Sequence, residues 1–223
     1  MAGQGLRVLV LGGVETRFHA FEEVTPVLAE AVRAAGHRPT VLRATDGLLE
    51  ARLRQFDAVA SITTGGSLSA EQEAALLEAV AERKNDRGRA VDFLGVHGAA
   101  CSFQANPGYI AMLGGRFVRH PPMCRFDVEI DVPDHPVTRG ASRFETYDEF
   151  YILELSGEVE VLVSGKSPEQ ATDPAGRRLP LGWSKRYGAG KVVYLAPGHG
   201  AEQLRNEGLR ALIGGALSWF ESG

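Results

Sequence analysis

One stretch of the sequence decides the fold: Val91-Asp92-Phe93-Leu94-Gly95-Val96-His97-Gly98-Ala99-Ala100-Cys101. An apolar run leads to a single polar side chain, His97, and small residues follow it. This order is typical of a strand that turns sharply into a helix at the top of a parallel sheet, because the tight backbone needs small neighbours. Hydrolases and amidotransferases carry Ser or Cys at such a tip. This chain carries His97 instead, and we predict that His97 is functional.

Strands and helices alternate on the amino-terminal side of this corner. The predicted strands cover residues 6–11, 39–43, 56–62 and 90–94. Thr25 with Pro26 predicts the start of one helix, as N-cap and first helical residue. Ser69 with Gln72 forms a capping box that predicts another. Such alternation favours a parallel, doubly wound sheet between helical layers.

On the carboxyl-terminal side the pattern becomes antiparallel. Residues 125–132 alternate apolar and charged side chains, as a half-exposed antiparallel or edge strand does. Residues 181–187 and 191–195 predict a hairpin around the three-residue turn Gly188-Ala189-Gly190. A helix ends the chain. The predicted fold class is therefore α/β, a three-layer sandwich with a mostly parallel central sheet and an antiparallel extension in its carboxyl-terminal half. Because we find no linker or repeat, we predict one domain over residues 1–223.

Composition excludes several classes of partner. The 223 residues carry a formal net charge of −4, which gives no sign of a nucleic-acid-binding surface. No apolar run approaches the roughly 18 residues that a membrane span needs, and residues 1–5 lack the pattern of a signal peptide. The two cysteines, Cys101 and Cys124, fit a reduced compartment better than a disulfide framework. We expect a cytoplasmic protein with neither nucleic acid nor membrane as partner.

Polar residues follow the predicted strands directly. In an open α/β sheet, ligands bind beyond the carboxyl ends of the strands. The polar groups at that edge are the Glu15/His19 loop, Thr63-Thr64-Gly65-Gly66, His97 and His199. His120, before two prolines, lies in a loop that can reach the same edge. We expect these residues to share one polar rim.

The segment from Phe144 to Tyr151 is both acidic and aromatic. A solvated acidic loop is one interpretation of Asp148 and Glu149. In the other, one of these carboxylates orients a histidine or binds sugar hydroxyls, with Tyr147 and Tyr151 nearby for stacking. The sequence leaves both interpretations open.

Two kinds of chemistry suit this set of residues. General acid–base catalysis is one, because histidines and carboxylates move protons near neutral pH. The other is binding of a divalent metal ion, although His-x-x-x-His and Cys-x-x-Cys spacings are missing. A nucleotide cofactor is not expected, since Gly12-Gly13 lacks the G-x-G-x-x-G run. The predicted catalytic residues are His97, His199, Asp148 and Glu149, and the predicted substrate-binding residues are His19, Gly65, Gly66, His120, Tyr147 and Tyr151.

The same residues are similar, in order, to a known family. The matching positions are Gly95-Val96-His97-Gly98-Ala99, Gly108-Tyr109, Leu113-Gly114-Gly115-Arg116-Phe117, His120-Pro121, Asp134-His135-Pro136-Val137-Thr138-Arg139-Gly140, Phe144, Asp148-Glu149-Phe150-Tyr151 and Gly198-His199. In this series the chain resembles the ThuA-like family of trehalose utilisation over nearly its whole length. The resemblance implies a class I glutamine amidotransferase-like fold, flavodoxin-like in layout. It also implies a link to bacterial sugar metabolism, with trehalose and 3-keto sugars among the candidates.

The resemblance does not extend to the catalytic triad of the amidotransferases. His97 stands where the amidotransferase elbow has Cys, and the His-x-Glu element appears as His199-Gly200-Ala201-Glu202, one residue too long. An imidazole at the elbow cannot form the thioester that glutamine hydrolysis requires. We therefore expect no glutaminase activity.

Three functions remain open from the sequence. The first is an isomerase, lyase or hydrolase acting on a sugar, or on a keto-sugar made by a partner sugar dehydrogenase. The second is a non-catalytic sugar-binding or regulatory module. The third is a diverged hydrolase that uses Cys101. The expected partner of the first two is a small-molecule carbohydrate, and a homodimer is compatible with the sequence.

Overall fold

The computed structural model describes residues 5–13, 18–43, 48, 50–168 and 176–222. Glu15 and residues 1–4 of the segment considered for a signal peptide lie outside them. The strands are β1 (Arg7–Gly12), β2 (Arg38–Arg43), β3 (Ala58–Ile62), β4 (Asp92–Val96), β5 (Gly115–Arg119), β6 (Cys124–Ile130), β7 (Phe144–Asp148), β8 (Ile152–Leu155), β9 (Glu160–Lys166), β10 (Arg178–Tyr187) and β11 (Gly190–Leu195). The helices are α1 (Phe21–Ala34), α2 (Glu50–Leu53), α3 (Ala70–Ala81), α4 (Pro107–Leu113), α5 (Ala201–Leu204) and α6 (Glu207–Glu221), with a short 3₁₀ helix at His97–Cys101.

The central sheet has the strand order β2-β1-β3-β4-β11-β10-β9-β6-β7. The five strands from β2 to β11 run parallel, and each later pair, from β11/β10 to β6/β7, is antiparallel. A separate pair is formed by β5 and β8. The α/β fold class and its antiparallel extension in the carboxyl-terminal half are thus confirmed.

Helices cover both faces of the sheet. The connection from β1 to β2 crosses the sheet in one direction, and those from β2 to β3 and from β3 to β4 cross it in the other. Because such crossovers are right-handed, α1 lies on one face and α2 with α3 on the opposite face. The contacts agree, since α1 packs against α5 and α6, while α3 packs against α2 and α4. The reversal between β1 and β3 opens a crevice at their carboxyl ends, where such sheets bind ligands.

The core is the middle of the parallel sheet. Leu9, Val59, Leu94 and Val193 are inaccessible to solvent and come from four adjacent strands. Burying one such side chain contributes about 1.5–3 kcal/mol. Strands covered on both faces read as continuous apolar runs, which is why the sequence predicts them well.

Several local predictions are confirmed. Ser69 accepts the backbone N–H of Gln72, and the Gln72 side chain accepts the N–H of Ser69, which completes the capping box of α3. Strand β6 pairs antiparallel with β7 and β9. The terminal helix α6 buries its apolar face. No helix in the part of the chain described here is long and apolar enough to cross a membrane.

The predicted start of α1 was wrong. The helix begins at Phe21 after the cap residue Ala20, so Pro26 lies inside it. The Thr25-Pro26 pattern predicted the wrong start because Val24 and Thr25 are buried and belong to the helix face that packs on the sheet. Thr25 is packed so closely against β1 that a Cβ on Gly12 would lie 1.9 Å from its hydroxyl oxygen.

The predicted hairpin turn was one residue too long. Tyr187 pairs directly with Gly190, so the connection between β10 and β11 consists of Gly188 and Ala189. Gly188 has φ of +58°, a conformation that two-residue hairpin loops require and that Gly adopts without strain. A Cβ at Gly188 would also lie 2.5 Å from the carbonyl oxygen of Ala81.

Two adjacent glycines in α6 give opposite stability predictions. A Cβ at Gly215 would lie 2.0 Å from the Val137 carbonyl oxygen, whereas a Cβ at Gly214 would meet nothing within 4 Å. We expect Gly215→Ala to lower the free energy of unfolding by about 1–3 kcal/mol, because the packed backbone must shift. Gly214→Ala should raise it by about 0.5–1 kcal/mol, because Ala restricts the unfolded chain and favours helix. Urea unfolding of both variants checks this, and equal stabilisation by both would contradict the packing.

Candidate functional site

The corner after β4 places His97 in an unusual backbone conformation. His97 has φ of +44° and is fully buried. Residues other than Gly rarely adopt this left-handed region, and strain of this kind is concentrated at functional sites. Gly98 must follow, because a Cβ there would lie 2.1 Å from the Thr64 hydroxyl oxygen. The sequence predicts a helix directly after this corner. The structure has a five-residue 3₁₀ helix there, and α4 begins only at Pro107.

Hydrogen bonding fixes the orientation of the His97 ring. Its Nδ1 donates to the Ala196 carbonyl oxygen at 2.7 Å. In the neutral ring Nε2 therefore carries only a lone pair. This buried Nε2 lies 3.3 Å from Glu149 Oε2 and forms no hydrogen bond with any of the described residues. The Tyr151 ring covers the imidazole at a centroid distance of 4.2 Å.

Three further side chains surround the same point. His19 Nδ1 lies 2.6 Å from the Thr64 hydroxyl oxygen, and His19 Nε2 lies 3.2 Å from His199 Nδ1. His199 Nδ1 is also 3.2 Å from Glu149 Oε2. One atom from each of His19, His97, Glu149 and His199 lies within 4.8 Å of the other three. We call these four residues the His/Glu cluster, and their donor atoms could hold a metal ion.

Asp148 supports this cluster from below. Its carboxylate is fully buried and accepts the backbone N–H groups of Gly198 at 2.7 Å and Glu149 at 2.8 Å, with His199 N at 3.3 Å. Burial raises the pKa of Asp148. Asp148 is thus not part of a solvated loop; it is not among the residues that line the cavity, and its hydrogen bonds hold the backbone of Glu149 and His199 in place.

The charges in the cluster depend on burial and on one another. Burial, followed by repulsion from His97 and His199, lowers the pKa of His19 to about 3. Burial alone would raise the pKa of Glu149, but its contacts with His199 and His97 lower it well below the usual range. Glu149 in turn raises the pKa of His199. The cluster therefore holds an ionised carboxylate among imidazoles, with His19 neutral.

A cavity of about 610 Å³ opens above the cluster. This volume lies within the range of small-molecule sites, about 300–1,000 Å³. Its lining residues are Phe18, His19, Thr64, Gly65, Cys101, Gln104, Phe117, His120, Glu149, Tyr151 and His199. The aromatic members form an apolar wall, and the polar members converge on the floor. Such a site suits a ligand with many hydroxyl groups and apolar ring faces.

The structure brings together most of the residues that the sequence selected. Gly65, His120 and Tyr151 line the cavity with the cluster, and His120 Nε2 lies 3.5 Å from Glu149 Oε1. Gly66 is exposed and is not among the lining residues.

Tyr147 is not brought to the cavity. Successive side chains of a strand face opposite sides, so Tyr147 points away when Asp148 points inward. Tyr147 is 47% exposed and lines a separate groove with Arg125 and Gln203. Tyr147 is therefore not among the residues that line the cavity.

Cys101 is a poor candidate for a nucleophile. Burial raises the pKa of its thiol to about 12, and the thiol donates to the Tyr151 hydroxyl at 3.4 Å. Nucleophilic cysteines need the opposite, a lowered pKa. Glu202, the acid in the overlong His-x-Glu element, is exposed and lines the groove beside Tyr147 instead of the cavity.

Thr64, which the sequence places at the polar rim because it follows β3, supports His19. Sequence reasoning assigned no role to Phe18 and Phe117, which form part of the apolar wall. Phe18 and Phe117 carried no sequence signal for a binding site, because an aromatic residue in a loop or short strand is as common in hydrophobic cores as in binding sites.

Comparison with known proteins gives a consistent family assignment. The family model ThuA, trehalose utilisation, matches residues 7–220. A search of curated proteins gives no match. Among solved structures, a ThuA-like protein from Parabacteroides merdae is similar at TM-score 0.81 and 16% identity, over 96% of this chain and 89% of that one. A ThuA-like protein from Bacteroides uniformis is similar at TM-score 0.68 and 18% identity, over 96% and 90%.

A third similar structure is a cytoplasmic protein from Salmonella typhimurium, at TM-score 0.65 and 14% identity, over 96% of this chain and 99% of that one. At such low identities the three structures establish similarity of fold alone. The match over most of the chain comes from the family model.

The geometry around Cys101 predicts an unreactive thiol and no glutaminase activity. With a pKa near 12, Cys101 should react with iodoacetamide at pH 7.5 far more slowly than a free thiol of pKa about 8.5. Peptide mass spectrometry measures the labelling, and an ammonia assay with glutamine measures the activity. Cys101→Ala is the control in both. Ammonia release that alkylation or this substitution abolishes would contradict the assignment.

Proposed function

This chain belongs to the ThuA family of trehalose utilisation, and from that premise we propose that it is an enzyme acting on a keto-sugar. The reaction class is isomerisation, elimination or hydrolysis by acid–base chemistry at a sugar carbonyl. The observation that carries the proposal is Glu149, an ionised carboxylate that lies among three imidazoles at the floor of a cavity of about 610 Å³.

A ketone is the feature of the substrate that such a site would use. A C–H bond next to a carbonyl is acidic enough for an imidazole or carboxylate to take the proton, whereas the same bond in the unoxidised sugar is not. The proton passes to a basic group of the protein and returns to a neighbouring atom or to the leaving oxygen. The groups that face the cavity and can move it are His120, Glu149 and His199. With a metal ion on Glu149 and His199, His120 is the one that remains to carry the proton.

The shape of the cavity fits a sugar ring. Phe117 and Tyr151 pack together at 4.6 Å between centroids and form an apolar wall. Gln104 and Thr64 provide hydrogen-bonding groups on the lining. A sugar can place an apolar face against the wall while its hydroxyl groups meet these polar groups. His97 is fully buried and is not among the lining residues, so it would act on the carbonyl end only through Glu149.

The keto-sugar requires a supplier. We propose a separate sugar dehydrogenase as the partner that oxidises the sugar, in the cytoplasm, because Gly12-Gly13 lacks the dinucleotide fingerprint in this chain. The cofactor that we propose for the present site is a divalent metal ion bound by the His/Glu cluster.

The test is turnover of 3-keto-glycosides compared with their unoxidised parents, followed by mass spectrometry. We expect product from the keto-sugars alone. Glu149→Gln and His199→Gln should each lower the rate by about 10²–10⁴-fold, the usual contribution of an acid or base. Tyr147→Phe is the matched control, because Tyr147 lies outside the cavity, and it should leave the rate unchanged.

The outcomes separate the competing functions. Binding of the sugar without turnover of either form would favour the non-catalytic sugar-binding module. Turnover that Cys101→Ala abolishes would favour the cysteine hydrolase. Full activity of Glu149→Gln would refute the assignment of the site.

A further inference from the structure

Three imidazole nitrogens and one carboxylate oxygen point at the same small volume on the cavity floor. We infer that His19 Nε2, His97 Nε2, His199 Nδ1 and Glu149 Oε2 bind one divalent transition-metal ion. This inference names the ligand atoms of the metal ion proposed above. It rests on the geometry of the cluster and does not depend on the sugar chemistry.

The spacing of the donor atoms suits a metal ion. The distances from His19 Nε2 to His199 Nδ1, from His199 Nδ1 to Glu149 Oε2 and from His97 Nε2 to Glu149 Oε2 are 3.2, 3.2 and 3.3 Å. Ligands about 2.0–2.2 Å from a tetrahedral zinc ion lie roughly 3.3 Å from one another. The other pairs lie within 4.8 Å, so a small inward movement of the side chains completes the shell.

The protons in the cluster cannot satisfy every lone pair that faces its centre. His97 Nδ1 donates to Ala196, so its Nε2 presents a lone pair to the carboxylate of Glu149 at 3.3 Å. When His19 Nδ1 donates to Thr64, its Nε2 presents another lone pair to His199. The single N–H at His199 Nδ1 would then face both His19 and Glu149. A cation in the centre satisfies all of these lone pairs together.

The surroundings support the ligands as metal sites usually do. A metal-bound His commonly donates its other ring N–H to a backbone carbonyl or a nearby oxygen, which fixes the ring orientation. His97 does so to the Ala196 carbonyl, and His19 can do so to the Thr64 hydroxyl. Asp148 holds the backbone of Glu149 and His199. The cluster is therefore preorganised.

The donor set also indicates the kind of ion. Three imidazoles with one carboxylate suit zinc and similar first-row divalent ions, whereas magnesium and calcium prefer shells of oxygen ligands. With these four residues as ligands, a sugar carbonyl in the cavity would have to bind as a fifth ligand for the ion to polarise it. His120 Nε2, 3.5 Å from Glu149 Oε1, is then the imidazole left to carry the proton.

The experiment measures metal binding directly. The tag-free full chain is stripped with a chelator, and Zn²⁺ is added during isothermal titration calorimetry, with metal content measured by mass spectrometry. We expect one ion per chain, and a rise in Tm with Zn²⁺ concentration, because an ion that binds only the folded state stabilises it. Glu149→Gln and His199→Gln should each weaken binding at least about 100-fold, more than loss of a supporting residue costs.

Tyr147→Phe is the control, because Tyr147 lines a separate groove and contacts none of the four ligands, and the affinity of this variant for Zn²⁺ should remain unchanged. Circular dichroism checks that each variant is folded. Failure of the wild-type chain to bind Zn²⁺ below millimolar concentration, or binding that Glu149→Gln and His199→Gln leave intact, would overturn the inference.

Activity separates this inference from the proposed function. Zinc binding without turnover of keto-sugars would leave the metal site standing and refute the enzyme. Turnover of keto-sugars by a chain that does not bind Zn²⁺ would refute the metal site and leave the enzyme standing.

Discussion

The candidate site depends on the hydrogen bonds of one buried carboxylate. Asp148 lies at the end of β7, an edge strand of the sheet, and it accepts the backbone N–H of Gly198, beyond β11 in the middle of the sheet. The same carboxylate accepts the N–H of Glu149. A buried carboxylate is costly unless it is hydrogen-bonded, so these bonds have to form together. They join the antiparallel extension to the parallel core, and they set Glu149 and His199 beside the corner at His97.

The fold supplies the rest of the cluster through its topology. His19, Thr64, His97 and His199 follow β1, β3, β4 and β11, four adjacent parallel strands, so they meet at one edge. The switch in crossover direction between β1 and β3 leaves room above them for a ligand. The antiparallel extension then adds the carboxylate of Glu149 after β7, while Phe117 of the aromatic wall comes from the separate β5/β8 pair and Tyr151 lies just before β8. The α/β scaffold thus brings imidazoles and a carboxylate together beside the corner after β4.

The sequence predicts those parts that follow from strand order and misses those that depend on packing. Residues placed after strands, such as His97 and His199, could be predicted because carboxyl ends of parallel strands share an edge. Tyr147 and Asp148 could not be separated, because only the pairing of β7 decides which of two neighbours points inward. The start of α1 was misplaced because tertiary burial of Thr25 outweighed its local preference for a cap.

The central claim is that the His/Glu cluster and the cavity above it form one functional site. A crystal structure of the zinc-loaded chain with a bound 3-keto-glycoside, recorded at the zinc absorption edge, tests it most directly. The account predicts one anomalous peak about 2.0–2.2 Å from the four donor atoms, with the sugar against Phe117 and Tyr151. A peak elsewhere, or a sugar bound in the groove beside Tyr147, would contradict it.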